Sequence, residues 1–228
     1  MKLCKLARKS RIILALDFMS ESLKRNFELL MDYMAGVKIG IPYILDHGID
    51  GLKKLRRDDV YILADFKLAD IPAMMHRVIE RVSKYIDGVI VHAFIGSEAI
   101  KKLKERADDL GIDLFLVVAM THKGAEEFIN KNFNRFIKMA NELASGVVAP
   151  ATYPEYIREA RRYLRDKIIL SPGVGTQGAE FGVALMSGAD FEIVGRSITL
   201  SPDPIKMVQY IREKHIIALK NYSPQTSL

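Results

Sequence analysis

Short apolar runs alternate with amphipathic stretches along almost the whole chain. The run over 11–18 is nearly continuous in apolar residues and closes on an acid, which predicts a strand buried on both faces. Ser20 then caps a stretch whose apolar residues recur at helical spacing. The same alternation continues to the end of the chain. The predicted strands cover 11–18, 36–40, a run that begins at Tyr61, 88–94, 113–120, 146–150, 167–173 and 191–196.

Helical stretches follow each of these strands through short connections. They start near Ser20 and cover 41–57, 71–83, 97–110, a segment that ends near Leu143, 154–164, 179–186 and 204–219. The polar segment 121–134 and the loop after Gly175 are candidate lids.

Eight strands alternating with eight helices form the pattern of a (β/α)8 TIM barrel. A length of 228 residues lies near the lower end of that fold's size range. A doubly wound sheet also alternates strands and helices, but it rarely needs eight units in this length. No G-x-G-x-x-G motif follows the first strand. The sequence therefore predicts one α/β barrel domain over 1–228, with a polar, flexible tail at 220–228.

Composition narrows the classes of partner. Lys plus Arg number 34 against 28 Asp plus Glu, a net charge of +6. The basic runs at 53–57, 101–104 and 161–165 are interrupted by apolar residues, which is typical of solvated helix faces rather than of a nucleic-acid stripe. The single Cys4 indicates a reducing setting, and no apolar run approaches a membrane span. We expect a cytoplasmic protein that binds neither nucleic acid nor membrane.

Charged residues collect where the predicted strands end. In a barrel these ends meet at one mouth, where active sites lie. Residues two apart on a strand point to the same face, so we expect Asp65 and Lys67 to project side by side. An isolated D-x-K pair of this kind is more often a structural ion pair. A whole set of acids and lysines at one mouth costs stability unless it forms an alternating network, which favours a functional reading. The strand ends carry Asp17, Lys38, Asp65, Lys67, Asp70, His92, Thr121, Pro150, Ser171, Pro172, Gly173, Gly195 and Arg196.

The ends of strands 7 and 8 carry a second signal. The run 171–178 is rich in glycine, so backbone amides can approach a ligand closely, and Arg196 suits two oxygens of a phosphate. Barrel enzymes often bind phosphate here. The five histidines show no metal-ligand spacing, so we expect no metal. His92 either lines the pocket or is a hydrogen-bonded structural residue.

Taken together, these motifs resemble the orotidine 5′-phosphate decarboxylase family, most of all its compact archaeal and bacterial form. The resemblance runs from strand 1 to strand 8. It rests on Leu16-Asp17, Val37-Lys38-Ile39-Gly40, the run 65–72 (DFKLADIP), Val91-His92, Met120-Thr121-His122, the run 171–178 (SPGVGTQG) and Val194-Gly195-Arg196-Ser197.

The resemblance implies a cofactor-independent, metal-free decarboxylation of orotidine 5′-phosphate to uridine 5′-phosphate, the last step of de novo UMP synthesis. By this resemblance Lys67 protonates C6 of the pyrimidine, and Asp65 lies beside the substrate carboxylate. Lys38 and Asp70 complete the charge network, and Asp17 and Lys38 meet the ribose hydroxyls. Thr121 reads the pyrimidine edge. The implied phosphate ligands and pocket residues are Gln177, Arg196, Pro172, Gly173, Val174, Gly175 and Gly195.

Family members are dimers in which the D-I-P end reaches into the partner's site. The resemblance therefore implies a homodimer in which Asp70 and Ile71 serve the neighbouring subunit. One position departs from the family pattern. The family commonly has a Thr four residues after the second Asp, where it contacts ribose, and this chain has Met74.

Two other functions remain open on the sequence. A magnesium-dependent sugar-phosphate decarboxylase or aldolase shares D-x-K-x-x-D but carries an acid as a metal ligand where this chain has Lys38, which would repel a cation. A non-catalytic phosphate- or nucleic-acid-binding barrel would tolerate Lys67→Ala. Turnover of orotidine 5′-phosphate that survives EDTA would argue against the magnesium-dependent enzyme. Loss of turnover in Lys67→Ala, with the fold retained, would argue against the non-catalytic barrel.

Overall fold

The computed structural model describes residues 2–222 of the chain. The strands are β1 Ile12–Ala15, β2 Gly36–Gly40, β3 Tyr61–Leu68, β4 Gly88–His92, β5 Asp113–Val117, β6 Gly146–Val148, β7 Ile168–Pro172 and β8 Phe191–Val194. They are parallel, each pairs with its neighbours in chain order, and β8 closes the barrel against β1. The predicted (β/α)8 barrel is confirmed.

Helices precede, connect and follow the strands. They are α1 Lys2–Leu6, α2 Glu21–Met31, α3 Ile41–Leu55, α4 Pro72–Val82, α5 Ser97–Asp109, α6 Phe133–Leu143, α7 Pro154–Tyr163, α8 Val183–Met186, α9 Arg196–Thr199 and α10 Pro204–Asn221. The Ser20 hydroxyl caps α2 by accepting a bond from Leu23 N–H at 3.1 Å. Pro72 begins α4, where its missing N–H costs nothing. Within residues 2–222, no helix is both long and apolar enough to cross a lipid bilayer.

The apolar core has two layers because successive strand residues point to opposite faces. Ile13, Leu63, Phe115 and Ile193 belong to the cluster inside the barrel. Their neighbours along the strands, such as Ile12, belong to the larger cluster between the sheet and the helices. This alternation decides which strand residues face the mouth of the barrel.

A short helix that the sequence pattern did not predict covers the amino-terminal end of the barrel. Leu3 of α1 is completely buried in the interior cluster. Lys2 Nζ donates to the Val60 carbonyl at 2.6 Å and to Asp87 Oδ2 at 3.2 Å. Because the segment is basic in composition, its pattern did not reveal that one apolar side chain, that of Leu3, closes this end of the barrel interior. The opposite end is left open for a site.

Three boundaries near the carboxyl terminus differ from the predicted ones. The helix expected over 179–186 is confined to the four residues of α8, because Gly182 has φ 93°. The segment after β8 forms α9 before α10 starts. The last helix ends at Asn221, so the first two residues of the expected tail are helical. Residues 223–228 of that tail, like Met1, lie outside the described residues.

Candidate active site

A cavity of about 670 Å³ opens at the carboxyl ends of the strands. Its floor is apolar, with Ile90, Val117, Val148 and Ile193 contributed by four different strands. Most of the residues singled out in the sequence line it. These are Asp17, Lys38, Asp65, Lys67, Thr121, Pro150, Pro172, Gly173, Val174, Gln177, Gly195 and Arg196. The residues that do not line it are Gly175, Asp70, Ile71, His92 and Ser171.

Four charged side chains form an alternating array on the β1–β3 side of the cavity. Lys67 Nζ lies 2.7 Å from Asp65 Oδ1, and Lys38 Nζ lies 2.9 Å from Asp65 Oδ2. Lys38 Nζ is also 3.5 Å from Asp17 Oδ1. The side chains of Lys38 and Asp65 are 10% and 9% exposed, whereas that of Lys67 is 40% exposed. We call these four residues the charge array; its most accessible ammonium is that of Lys67.

Strand register brings Lys38 to Asp65. In the β2–β3 ladder Gly40 is paired with Asp65 and Lys38 with Leu63. Residues two apart on a strand share a face, so Lys38 lies diagonally across from Asp65 on the inner face. The two charges therefore meet inside the barrel.

Lys67 reaches Asp65 for a different reason from the one that strand alternation suggests. The β3–β4 register shifts between Ala64 and Leu68, so the intervening residues form an irregularity in the ladder. Lys67 has φ 43°, the only positive value at a non-glycine residue in the described chain. Such irregularities re-aim side chains next to active sites. The direction of the Lys67 side chain is set by this distorted backbone.

The electrostatics of Asp65 reflect two opposing effects. Burial raises the pKa of its carboxyl, but the ammonium groups of Lys38 and Lys67 outweigh burial and hold the pKa below its ordinary value. Asp65 is therefore an anion at neutral pH. Its carboxylate is shared by the two ammonium groups, and the second carboxylate of the array, that of Asp17, contacts Lys38 alone among the residues that the structure describes.

The opposite side of the cavity carries a glycine-rich loop and an arginine. Gly173 and Gly175 have φ of 104° and 69°, which glycine adopts without strain. Gly175 also packs so closely that a Cβ there would clash with Ser197 Oγ. Arg196 begins α9 and lines the cavity, and its guanidinium has no ion-pair partner within residues 2–222. An arginine held in this way is available to a phosphate group.

Asp70 and Ile71 are not brought to the cavity of their own chain. The Asp70 carboxylate accepts a bond from Ile71 N–H at 2.7 Å, and the Ile71 side chain is 63% exposed. Both lie at the start of α4, beyond the end of β3. Asp70 is therefore not part of the charge array of its own chain.

The residues that could hold a metal are the acids of the charge array. The ammonium of Lys38 lies between Asp17 and Asp65, where it competes with a cation for the same oxygens. In the described part of the chain, no group of three or more His, Cys, Asp or Glu side chains is arranged around a potential metal position.

Comparison with known proteins identifies the family of this chain. The model of the orotidine 5′-phosphate decarboxylase / HUMPS family matches residues 10–211. The chain belongs to this family. It is 39% identical over 208 residues to the orotidine 5′-phosphate decarboxylase of Pyrococcus abyssi, covering 89% of this chain and 98% of that protein. It is 40% identical to the enzyme of the same name from Pyrococcus horikoshii, with the same coverage.

Solved structures of the family superpose on the whole barrel. The orotidine 5′-monophosphate decarboxylase of Sulfolobus solfataricus matches with a TM-score of 0.85 and 33% identity, over 92% of this chain and all of that one. The enzyme from Methanocaldococcus jannaschii, complexed with the inhibitor BMP, matches with a TM-score of 0.83 and 31% identity, over 90% of this chain and 98% of that one.

His92 lies at the end of β4 and does not line the cavity. Its ring stacks on Phe94 at 4.7 Å between centroids. Burial lowers the pKa of its imidazole, and the nearby Lys67 ammonium lowers it further. His92 Nδ1 is buried and has no hydrogen-bond partner among the described residues. The structure therefore gives it a neutral ring packed beside the charge array.

Sequence reasoning overlooked two buried polar features of this family member. Glu192 is completely buried on the outer face of β8, where it accepts a bond from Gly182 N–H at 2.9 Å and lies 2.7 Å from His215 Nε2. An acid inside the apolar run 191–194 was the available signal. The second feature, Asn130, sits in a polar segment and carried no such signal. It contacts the backbone of Met120, beside Thr121.

Proposed function

We propose that this protein decarboxylates orotidine 5′-phosphate to uridine 5′-phosphate without a cofactor, the last step of de novo UMP synthesis. The observation that carries the proposal is the alternating array of Lys38, Asp65 and Lys67 at the mouth of the barrel. A phosphate-suited loop stands across the same cavity. Family membership supports the same reaction. The lone Cys4 supports a cytoplasmic location.

In the reaction, the bond between C6 of the pyrimidine and its carboxylate breaks, and carbon dioxide leaves. The electron pair stays on C6, where negative charge develops. The Lys67 ammonium is the accessible cation of the array; it stabilises that charge and transfers a proton to C6. Lys67 is left neutral and takes a new proton from solvent. The product is UMP, and no redox step is involved.

Asp65 has two tasks in this scheme. It keeps Lys67 charged and oriented through contacts of 2.7 and 2.9 Å, and it stands beside the substrate carboxylate. A preorganised ion pair needs no reorganisation at the moment of reaction. Lys38 Nζ also contacts Asp65 Oδ2, at 2.9 Å. Asp17 and Lys38 bind the ribose hydroxyls.

The phosphate end supplies binding energy remote from C6. Arg196 and Gln177 bind the phosphate oxygens. Thr121 reads the pyrimidine edge from the loop after β5. The backbone around them is shaped by Pro172, Gly173, Val174, Gly175 and Gly195.

A homodimer completes the array in this proposal, with Asp70 and Ile71 entering the partner's site. An exposed apolar stripe at the start of α4 supports the dimer. Its members recur at helical spacing, and their exposed fractions are 63% for Ile71, 42% for Met74 and 36% for Val78. An exposed apolar stripe of this kind marks a protein interface. It adjoins Asp70, so burying the stripe would carry that carboxylate toward a neighbouring mouth.

The test is the ultraviolet absorbance of orotidine 5′-phosphate after addition of purified protein, with and without EDTA. The proposal predicts conversion to UMP at an equal rate in both samples. Turnover lost with EDTA and restored by Mg²⁺ would favour the sugar-phosphate type of enzyme. No absorbance change at micromolar protein would reject the proposed function.

A further inference from the structure

Asn130 is a buried polar side chain outside the charge array, with 5% of its surface exposed. Its Oδ1 accepts a hydrogen bond from Met120 N–H at 3.0 Å, and its Nδ2 donates to the Met120 carbonyl at 3.1 Å. Nδ2 also donates to Glu126 Oε1. If the amide were flipped, Oδ1 would face the Met120 carbonyl and the Glu126 carboxylate, which are both acceptors. The network therefore fixes the orientation of the amide.

The backbone that Asn130 holds has no other partner in the described chain. β5 ends at Val117, and the last backbone bond toward β6 runs from Val118 N–H to the Val148 carbonyl at 3.2 Å. Met120 lies two residues beyond that bond. Within the described backbone, β6 makes no hydrogen bond to Met120. The side-chain amide of Asn130 instead satisfies the N–H and the carbonyl of Met120, as a neighbouring strand would.

Thr121 follows Met120 directly and lines the cavity, with an exposed side chain. Its carbonyl accepts one long bond, 3.5 Å, from Tyr153 Oη. The position of Thr121 thus depends chiefly on how the preceding residue is held. The clamp by Asn130 closes the base of the loop over 121–129, directly beside Thr121.

We propose that Asn130 is a positioning residue for pyrimidine recognition, acting through the Met120 backbone on Thr121. This inference rests on the proposed function, because it assigns Thr121 to the pyrimidine ring. Small misplacements of a binding group are costly when geometry is preorganised. The phosphate end is built from the loops after β7 and β8, so Asn130 does not influence it.

Two ligands separate positioning from general stability. UMP carries the pyrimidine ring, and ribose 5-phosphate lacks it. For Asn130→Ala we expect UMP affinity, measured by calorimetry, to fall about tenfold while ribose 5-phosphate affinity stays within about twofold of the parent value. The matched control is Asn132→Ala, since Asn132 donates to the Phe128 carbonyl at 2.7 Å and does not contact Met120. The control should leave both affinities unchanged.

A double variant tests the route of the effect. In a Thr121→Ala background, the loss caused by Asn130→Ala should shrink to about twofold or less, because the group being positioned is gone. If Asn130→Ala does not fold, Asn130→Asp keeps the shape and the bond from Met120 N–H but loses the donor, and the same two ligands are compared. An equal loss for both ligands, or no loss for UMP, overturns the inference while the proposed function stands. A parent protein that neither binds UMP nor turns over orotidine 5′-phosphate overturns both.

Discussion

The ammonium of Lys67 lies 2.7 and 2.9 Å from the two carboxylate oxygens of Asp65, and the backbone of Lys67 is left-handed, with φ 43°. Left-handed backbone at a residue with a side chain costs on the order of 1–3 kcal/mol and persists only where its surroundings enforce it. Here the ion pair and the irregular β3–β4 ladder do so. The strain is the cost of directing Lys67 toward the cavity.

This strain predicts that, at position 67, a glycine variant is more stable than an alanine variant, the reverse of the order in a helix. Lys67→Gly and Lys67→Ala both remove the ammonium, but only glycine adopts φ 43° freely, so Lys67→Gly should be more stable to urea by about 1 kcal/mol. Lys101 in α5 is the matched control. At that exposed helical position the order should reverse, with glycine about 1 kcal/mol less stable than alanine. A Lys67→Ala protein more stable than Lys67→Gly would contradict the assignment of strain.

The lowered pKa of Asp65 predicts how stability depends on pH. Because its folded pKa lies below the unfolded value of about 3.9, its ionised form stabilises the fold above that value, and this contribution is lost as pH falls through the folded pKa. Replacement by Asn leaves two ammonium groups without their shared carboxylate. We expect Asp65→Asn to lower the free energy of unfolding by about 3 kcal/mol at pH 7. The difference in free energy of unfolding between the parent and Asp65→Asn should become smaller as the pH is lowered toward 3.

Urea unfolding of both proteins from pH 7 to pH 3 measures this difference. Asp108→Asn provides the comparison, since Asp108 forms an exposed i,i+4 ion pair with Lys104 on α5. Asp108→Asn should change the free energy of unfolding only slightly, and that change should hardly vary with pH. A constant deficit for Asp65→Asn across the range would show that the carboxylate charge is not what stabilises the array.

Subunit mixing tests whether Asp70 serves the neighbouring site. Lys67→Ala and Asp70→Asn should each be inactive as homodimers. If Asp70 acts across the interface, one site of each hybrid has both native residues. Random reassociation of equal amounts should then restore about a quarter of parental turnover. The mixture is assayed after dissociation in mild denaturant and dilution. If Asp70 acts in its own chain, no hybrid site is intact, and the mixture stays inactive.

The barrel and most of the cavity could be predicted because they follow from local patterns. β2 was predicted at its observed bounds, since Gly36 and Gly40 frame a short run in which two β-branched residues flank Lys38. Lys38 and Asp65 were expected at one mouth because both lie at predicted strand ends, which meet at one end of a barrel. Lys67 was expected beside Asp65 from strand alternation, whereas the contact depends on a ladder irregularity that no residue pattern reveals.

The features that were missed depend on tertiary contacts. α1 contributes Leu3 to the barrel floor, although its sequence reads as a basic terminus. Asn130 became significant only when the fold placed its amide against the Met120 backbone, ten residues away in the chain. Glu192 is stabilised by the N–H of Gly182 and by His215, which come from other elements. Such partners are assembled by folding and leave no local periodicity.

The central claim is that the Lys67 ammonium delivers the proton that replaces carbon dioxide at C6. It is tested by turnover of orotidine 5′-phosphate in D₂O, with UMP analysed by NMR, for the parent protein, Lys67→Ala and the control Lys101→Ala. The account predicts one deuterium at C6 and full turnover for the parent and the control. For Lys67→Ala it predicts a loss of at least about 10⁴-fold in kcat, with UMP still bound and the fold unchanged. Turnover by Lys67→Ala within about tenfold of the parent would contradict it.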